Sequence, residues 1–225
     1  MENLETSNTT VTCPKCGKSM SVKVIRAIKA DSPELKSLLK GTLNVQTCGC
    51  GARFLVSTPI FYSDPALNFF MVQEEYPEDG NIEDIEKDVD ATMTDVALAH
   101  NIERPLLRLV FSREEFIEKL ALVTRGYDDR LIEYAKFQLF QTTGEGKINH
   151  QLHRMLFDFS EPEGGHIKFI IFEKETGKHI AGIHIEREDY ERMLKEFQEN
   201  ASLQNELDAL FPDCYVNVDR LYDYA

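Results

Sequence analysis

The chain has 225 residues, of which 42% are hydrophobic and 10% aromatic, so it is long enough and apolar enough to bury a core. No stretch approaches the roughly 18 continuous apolar residues of a membrane span, and residues 1–12 lack the pattern of a signal peptide. We therefore expect a cytoplasmic globular protein. The net charge of −14 is unevenly spread, with +3 over residues 1–70 and −17 over residues 71–225. The acidic part disfavours general nucleic-acid binding, because it repels phosphate.

Four of the five cysteines form two short pairs, Cys13 with Cys16 and Cys48 with Cys50. A glycine follows each pair, and 31 residues separate the pairs. Two such pairs supply the four sulfur ligands of a tetrahedral zinc site, and the glycine can adopt the positive φ that the turn needs. We therefore predict a structural zinc site with these four ligands. This cysteine usage fits a reducing compartment, and Cys214 is predicted to be a small buried residue.

The sequence around the cysteines predicts short strands and one helix. Residues 19–28 alternate polar and apolar side chains as a strand does. A serine and a proline at 32–33 predict the start of a short helix that ends at Gly41. Extended segments lead into and out of the second cysteine pair, which is typical of a zinc ribbon. Residues 58–65 are predicted to form a loop, followed by a strand over Asn68–Gln73.

Several stretches of the chain resemble the CpXC domain family of bacteria and archaea, a family of zinc-ribbon-like proteins with no assigned activity. The resemblance extends over about residues 11–140 and rests on the Cys13–Gly17 segment, the helix from Ser32 to Gly41, the Cys48/Cys50 pair and Tyr127–Arg130. It implies zinc ligation by Cys13, Cys16, Cys48 and Cys50, but it implies no reaction. The second pair departs from the family pattern, because it is Cys-x-Cys where the family name suggests Cys-Pro-x-Cys.

The chain becomes acidic after this module, with ten acidic residues and one lysine over residues 74–95. Residues 74–80 are predicted to be a linker. From Ile82 onward, apolar residues recur every three or four positions, which predicts an amphipathic helix with Asn81 as its cap. The acidic face of this helix is either solvated or, as we predict, lies beside the basic residues of the N-terminal module. Those residues are Lys15, Lys18, Lys23, Arg26, Lys29 and Arg53.

The middle of the chain predicts a strand and two helices. The strand covers Leu107–Phe111, and a capping box at Ser112–Glu115 opens a helix that runs through Thr124. Asp128 and Asp129 stand at the start of the next helix, which runs to about residue 141. Their position predicts that these aspartates cap the helix rather than act as a catalytic pair.

The last third predicts an antiparallel meander, because apolar runs at 152–159, 167–173 and 179–185 are joined by turn sequences. Helices are predicted over 187–199 and 203–210, with an edge strand at 215–218. The predicted fold is α+β: an N-terminal zinc-ribbon-like β module with helical elaboration, and a C-terminal antiparallel β meander packed with helices. The predicted domains are the zinc-ribbon-like module at 8–73, the acidic linker at 74–80, the helical part of the CpXC-like region at 81–147 and a C-terminal α+β domain at 148–225.

The first cysteine pair also has the spacing of a dithiol redox motif, but a strand rather than a helix is expected to follow it. His179 and His184 lie five apart on a predicted strand, so they fall on opposite faces and are poor joint ligands. A zinc ion held by four thiolates has no open position for water or substrate. We therefore predict a non-enzymatic zinc-binding protein that acts as a protein-binding or adaptor module, with no catalytic residues. Contact of the basic N-terminal module with nucleic acid is the alternative, and dithiol redox chemistry is a more distant one.

Overall fold

The computed structural model describes residues 6–143, 148–160 and 164–223. The chain forms two compact units, residues 1–116 and residues 117–225. This division does not follow the predicted boundaries at 80 and 147, and those boundaries remain predictions about independent folding. In the described parts of the chain, each helix falls short of the length or the apolarity that a bilayer span requires.

In its described residues, the first unit contains two small hairpins, a four-stranded sheet, two complete helices and the start of a third. Its elements are β1 (Thr6–Thr12), β2 (Ser19–Ile25), β3 (Ala27–Lys29), α1 (Pro33–Leu39), β4 (Val45–Thr47), β5 (Arg53–Leu55), β6 (Ile60–Asp64), β7 (Phe69–Gln73), α2 (Ile82–His100), β8 (Leu106–Val110) and α3 (Arg113–Thr124). β1 pairs with β2 and β4 with β5, both antiparallel, while the sheet has the order β3-β6-β7-β8. The strand predicted over residues 19–28 is therefore divided at Arg26 between a hairpin and the sheet.

The four-stranded sheet corrects one prediction. The loop predicted over residues 58–65 is wrong, because β6 is an inner strand that runs parallel to β3 and antiparallel to β7. Alternate side chains of β6 are buried, and the ring of Tyr62 contacts Phe69 and Phe116 edge to face. Pro59 and Pro65 lie just outside the strand, where their missing N–H groups do not interrupt the hydrogen-bond ladder.

Three predicted helix starts are confirmed by their hydrogen bonds. The side chains of Ser32, Ser112 and Asp128 each accept a backbone N–H from the first turn of the helix that follows, at 3.1, 3.1 and 3.0 Å. Asp129, which was predicted to share the capping role, is instead buried among other charged groups. Local sequence therefore fixes where these helices begin, but not what a buried aspartate contacts.

The second unit contains a three-stranded antiparallel meander covered by helices, and the predicted α+β class is confirmed. Its elements are α4 (Asp129–Thr142), β9 (His153–Phe157), β10 (His166–Glu173), β11 (His179–Glu186), α5 (Arg187–Glu199), α6 (Ala201–Leu210) and α7 (Arg220–Asp223). The strand order is β11-β10-β9. The turn predicted over residues 161–165 falls partly outside the described residues.

One core unites the helices and strands of this unit. It includes Leu122 before α4, Ile132 within α4, Phe169 on β10 and Tyr190 on α5. The helical residues after 117 and the predicted C-terminal domain therefore share apolar packing. The edge strand predicted at 215–218 is wrong, since among the described residues this buried segment joins no sheet.

Five charged side chains are buried together in the second unit, each at most 3% exposed. Lys119 Nζ lies 2.6 Å from Glu133 Oε1 and 3.5 Å from Asp129 Oδ2. Lys136 Nζ lies 2.7 Å from Glu118 Oε1 and 3.0 Å from the same Glu133 oxygen. We call these residues the buried charge network: Glu118, Lys119, Asp129, Glu133 and Lys136.

The network also holds the backbone of distant segments. The Phe157 N–H donates to Glu118 at 2.6 Å, and the Val218 N–H donates to Glu133 at 3.0 Å. Buried carboxylates are stable only when such partners replace water, and here both ammonium groups and backbone N–H groups do so. The network thereby fixes β9 and the segment near residue 218 against the helices.

In the network the carboxylate of Glu133 and the ammonium group of Lys136 both stay ionised. Burial alone raises the pKa of Glu133, but Lys119 and Lys136 hold that pKa below its usual value. Burial alone lowers the pKa of Lys136, but Glu118 and Glu133 raise it above its usual value. Because the Glu133 pKa is lowered on folding, its contribution to stability is present above the unfolded pKa and is lost as the pH falls through the folded pKa.

We predict that Glu133→Gln destabilises the second unit by about 3–5 kcal/mol, because two buried ammonium groups lose their shared carboxylate. Denaturant unfolding, with hydrogen exchange over residues 122–221, measures the effect. Glu191→Gln, at an exposed position of α5, is the control and should change stability little. The difference in the free energy of unfolding between Glu133→Gln and the wild type should shrink as the pH is lowered from 7 toward 3. An unchanged unfolding midpoint for Glu133→Gln would contradict the role of the network.

Candidate metal centre

The first cysteine pair lies in a tight turn between β1 and β2. The Cys13 N–H donates to the Lys18 carbonyl at 3.0 Å, and the Gly17 N–H donates to the Cys13 carbonyl at 2.9 Å. Gly17 has a φ of +69°, which a residue with a Cβ rarely adopts. This turn brings the side chains of Cys13 and Cys16 to the same end of the hairpin.

The second pair lies in a similar turn between β4 and β5. The Cys48 N–H donates to the Ala52 carbonyl at 2.8 Å, and the Gly51 N–H donates to the Cys48 carbonyl at 2.9 Å. Gly51 has a φ of +82°, so the positive φ predicted for the glycine after each pair is confirmed. The second pair has one residue between its cysteines, whereas the first pair has two. Both sulfur atoms of the second pair can still point toward one centre.

The structure brings the four predicted cysteines together. Cys13 Sγ lies 3.7 Å from Cys50 Sγ, and Cys16 Sγ lies 3.7 Å from Cys48 Sγ, so each close contact joins the two hairpins. All four sulfur atoms lie within 4.8 Å of one another. Cys13 and Cys48 are buried, whereas Cys16 and Cys50 are exposed. We call this group the four-cysteine cluster.

The spacing of the sulfur atoms fits a bound metal ion. A tetrahedron with zinc–sulfur distances of about 2.3 Å has edges of about 3.8 Å, close to the two observed contacts. A disulfide would need a sulfur–sulfur distance of about 2.0 Å, so neither contact is a disulfide, and all four thiols are free. The cluster could therefore hold one metal ion between the two hairpins.

The electrostatics of the cluster also fit a cation. The N–H of Cys16 is the main cause that lowers the pKa of Cys13, to about 6. At Cys50 the N–H of Ala52 lowers the pKa, but the thiol of Cys16, burial and the other two thiols outweigh it and raise the pKa to about 11. The proton of Cys13 therefore leaves easily and that of Cys50 does not, because hydrogen bonds with the neighbouring sulfur atoms favour the protonated Cys50. A cation at the centre favours the thiolate form instead.

Asn44, which no sequence pattern predicted as important, joins the two hairpins. The Ile25 N–H donates to Asn44 Oδ1 at 2.8 Å, and Asn44 Nδ2 donates to the Ile25 carbonyl at 2.9 Å. The Asn44 carbonyl in turn accepts the Val56 N–H at 3.0 Å. Asn44 is buried and has a φ of +55°, a conformation that asparagine tolerates better than most residues. It therefore links the end of β2 to the hairpin that carries Cys48 and Cys50.

Apolar packing around the cluster is sparse. The buried core of the hairpins consists of Val22, Val24 and Val56, with Val11, Met20 and Phe54 partly buried around it. By contrast, fifteen of the described residues of the second unit are buried in one core. The hairpins therefore depend more than the rest of the chain on polar or metal-mediated links.

Comparison with known proteins identifies one relationship. The family model described as "CpXC protein" matches residues 11–136, which is more than half of the chain and includes the four-cysteine cluster. Searches of curated proteins and of solved structures each returned no match.

We predict that Asn44→Ala accelerates hydrogen exchange in β2, β4 and β5, because the Ile25 N–H and carbonyl lose their partners. Each buried polar group left unpaired costs about 1–3 kcal/mol. Asn101→Ala is the matched control, since Asn101 also has a positive φ (+48°) but ends α2. Acceleration in the hairpins no greater than the acceleration that Asn101→Ala causes at the end of α2 would show that backbone strain, and not the Asn44 side chain, carries the effect.

Proposed function

We propose, since the chain belongs to the CpXC family, that its four-cysteine cluster binds one structural Zn²⁺ and that the protein acts without catalysis, as a protein-binding or adaptor module. The observation that carries this proposal is the sulfur arrangement, with two contacts of 3.7 Å and all four atoms within 4.8 Å. Four thiolates in a tetrahedron are a typical structural zinc site, and iron is the other metal that such a set accepts.

Four protein ligands leave a zinc ion no open position, so a structural role follows from the donor set. Such an ion can polarise no substrate and activate no water. The first cysteine turn leads into the strand β2, whereas a redox dithiol is usually activated at the start of a helix. The N–H groups that stabilise the Cys13 thiolate suit a metal ligand equally well. The strand that follows the first pair therefore favours metal ligation over dithiol redox chemistry.

The contribution of the metal to folding is large compared with the apolar core of the hairpins. Structural Zn²⁺ supplies apparent binding free energies of about 10–16 kcal/mol, comparable with or above the stability of a small domain. Three buried valines cannot replace that contribution. The second unit has its own core and should retain its fold without metal.

We predict one zinc per chain in protein purified without chelator, and loss of that zinc in Cys16→Ser, which removes one of the four ligands. Native mass spectrometry gives the stoichiometry, and elemental analysis distinguishes zinc from iron. In Cys16→Ser, hydrogen-exchange protection should be lost over residues 11–60 and kept over residues 152–199.

Cys214→Ser is the matched control, because Cys214 is buried in the second unit and lies outside the cluster. It should keep both the zinc and the protection of residues 11–60. A metal-free wild-type chain, or a disulfide within the cluster in a reducing lysate, would refute the zinc proposal. Loss of protection over residues 152–199 in Cys16→Ser would show that the metal organises the whole chain.

Nucleic-acid binding is the second candidate function, because basic side chains are exposed around the two cysteine turns. Lys15 and Lys18 flank Cys16, and Arg53 follows the second turn. The surface charge elsewhere opposes this function, since residues 71–225 carry a net charge of −17.

We predict weak binding to short single- and double-stranded oligonucleotides at about 0.15 M salt, because the acidic part of the chain repels phosphate. Titration at two salt concentrations measures it, with Lys15→Gln and Lys18→Gln as the paired variants. Tight binding that these variants weaken, with a steep salt dependence, would favour the nucleic-acid function. A pull-down in which the wild type retains a protein that Cys16→Ser does not retain would support the adaptor function.

A further inference from the structure

The geometry points to a second metal site, formed by His166, His184 and Glu186 on the exposed face of the β10–β11 hairpin. One ligand atom from each residue can be chosen so that all lie within 4.8 Å of one another. The three side chains are about half exposed, at 47%, 55% and 53%. This site belongs to the second unit and shares no residue with the four-cysteine cluster.

Strand alternation places the three side chains on one face. Ile167, Phe169 and Ile185 face inward and pack against the core. The even-numbered residues next to them on β10 and β11 therefore face solvent. His166 lies directly opposite Glu186 in the register, and His184 is two residues before Glu186 on the same strand. Side chains in such positions are nearest neighbours across and along a hairpin.

The distances fit one metal ion with three protein ligands. His166 Nδ1 lies 3.0 Å from Glu186 Oε2, and His184 Nε2 lies 3.7 Å from Glu186 Oε1. In a tetrahedron, ligands at about 2.0–2.2 Å from a zinc ion are separated by about 3.3–3.6 Å, so small side-chain rotations suffice. The rings of His166 and His184 already lie 4.6 Å apart between centroids.

The donor set selects a borderline divalent cation. Two imidazole nitrogens and one carboxylate oxygen are typical of zinc, copper, nickel or iron, whereas calcium and magnesium prefer oxygen ligands alone. Three protein ligands leave at least one position for water, because the side chains are open to solvent. This feature distinguishes the site from the four-cysteine cluster, where four protein ligands surround the centre.

The neighbouring charges are mixed. Lys168 lies opposite His184 on the same face, and its charge opposes a bound cation. Arg187, which follows Glu186, is held elsewhere by hydrogen bonds to the Gly164 carbonyl and the Tyr127 hydroxyl. Glu186 supplies the negative charge at the centre of the three ligands.

Titration with Zn²⁺ tests the site on the full chain, made without a histidine tag and with its cysteine cluster already loaded. Calorimetry should show one further equivalent of Zn²⁺. His166→Asn, His184→Asn and Glu186→Gln should each weaken this equivalent about tenfold or more, since a direct ligand matters at least as much as an outer-shell partner. His179→Asn, at an exposed position on the same strand, should leave it unchanged. Cys16→Ser should keep this equivalent, which separates the two sites.

Nitrogen NMR of the imidazole rings gives a second measurement. Zn²⁺ at one further equivalent should shift the ring resonances of His166 and His184 and leave those of His100 and His179 in place. Absence of a further equivalent would overturn the proposal. So would a further equivalent that His179→Asn weakens as much as His184→Asn does, because that result describes adventitious binding to surface histidines.

Discussion

The first unit depends on a constraint at its N-terminal hairpins, where four sulfur atoms from two separate turns meet within 4.8 Å. Neither hairpin has enough apolar surface to hold this arrangement alone, since their buried core, in the part of the chain that the structure describes, consists of three valines. Two links replace the missing core. Asn44 joins the backbones through paired hydrogen bonds to Ile25, and a cation between the thiolates would join the side chains. The match to the CpXC family includes both cysteine pairs and Asn44.

The second unit differs from the hairpins, because it has a large core and also contains the buried charge network. Lys119 and Lys136 share one oxygen of Glu133, and that side chain has no measurable exposure. Such a network is weak evidence for net stability, because desolvation of each charge costs several kcal/mol. Its contribution is instead structural, through the hydrogen bonds that it accepts from the Phe157 and Val218 N–H groups. They define which backbone segments can lie against the helices, which apolar contacts alone do not specify.

The sequence predicts the features that depend on neighbours along the chain and misses those that depend on distant partners. The cysteine pairs, their glycines and the caps Ser32, Ser112 and Asp128 are local patterns. The structure brings the four cysteines together and confirms the glycine conformations and the caps. The segment 58–65 has two prolines and therefore predicts a loop, yet its pairing with β3 and β7 makes Ile60–Asp64 an inner strand. Residues 215–218 are apolar enough for a strand, but the Val218 N–H donates to Glu133. No local pattern could have shown either partner.

The proposed histidine site shows how a single extra residue decides which side chains meet. Near the turn, Phe172 pairs with His179, and continuing that register would place His166 opposite Ile185, whose side chain packs in the core. The register shifts between Ile171 and Phe172, so that Ile171 pairs with Ala181 and Ile180 becomes the extra residue. Beyond this bulge His166 lies opposite Glu186 instead, and a slip of one residue exchanges the two faces of a strand. The bulge therefore brings His166 beside His184 and Glu186. The spacing of His179 and His184 in the sequence could not show this, because His166 lies on the other strand.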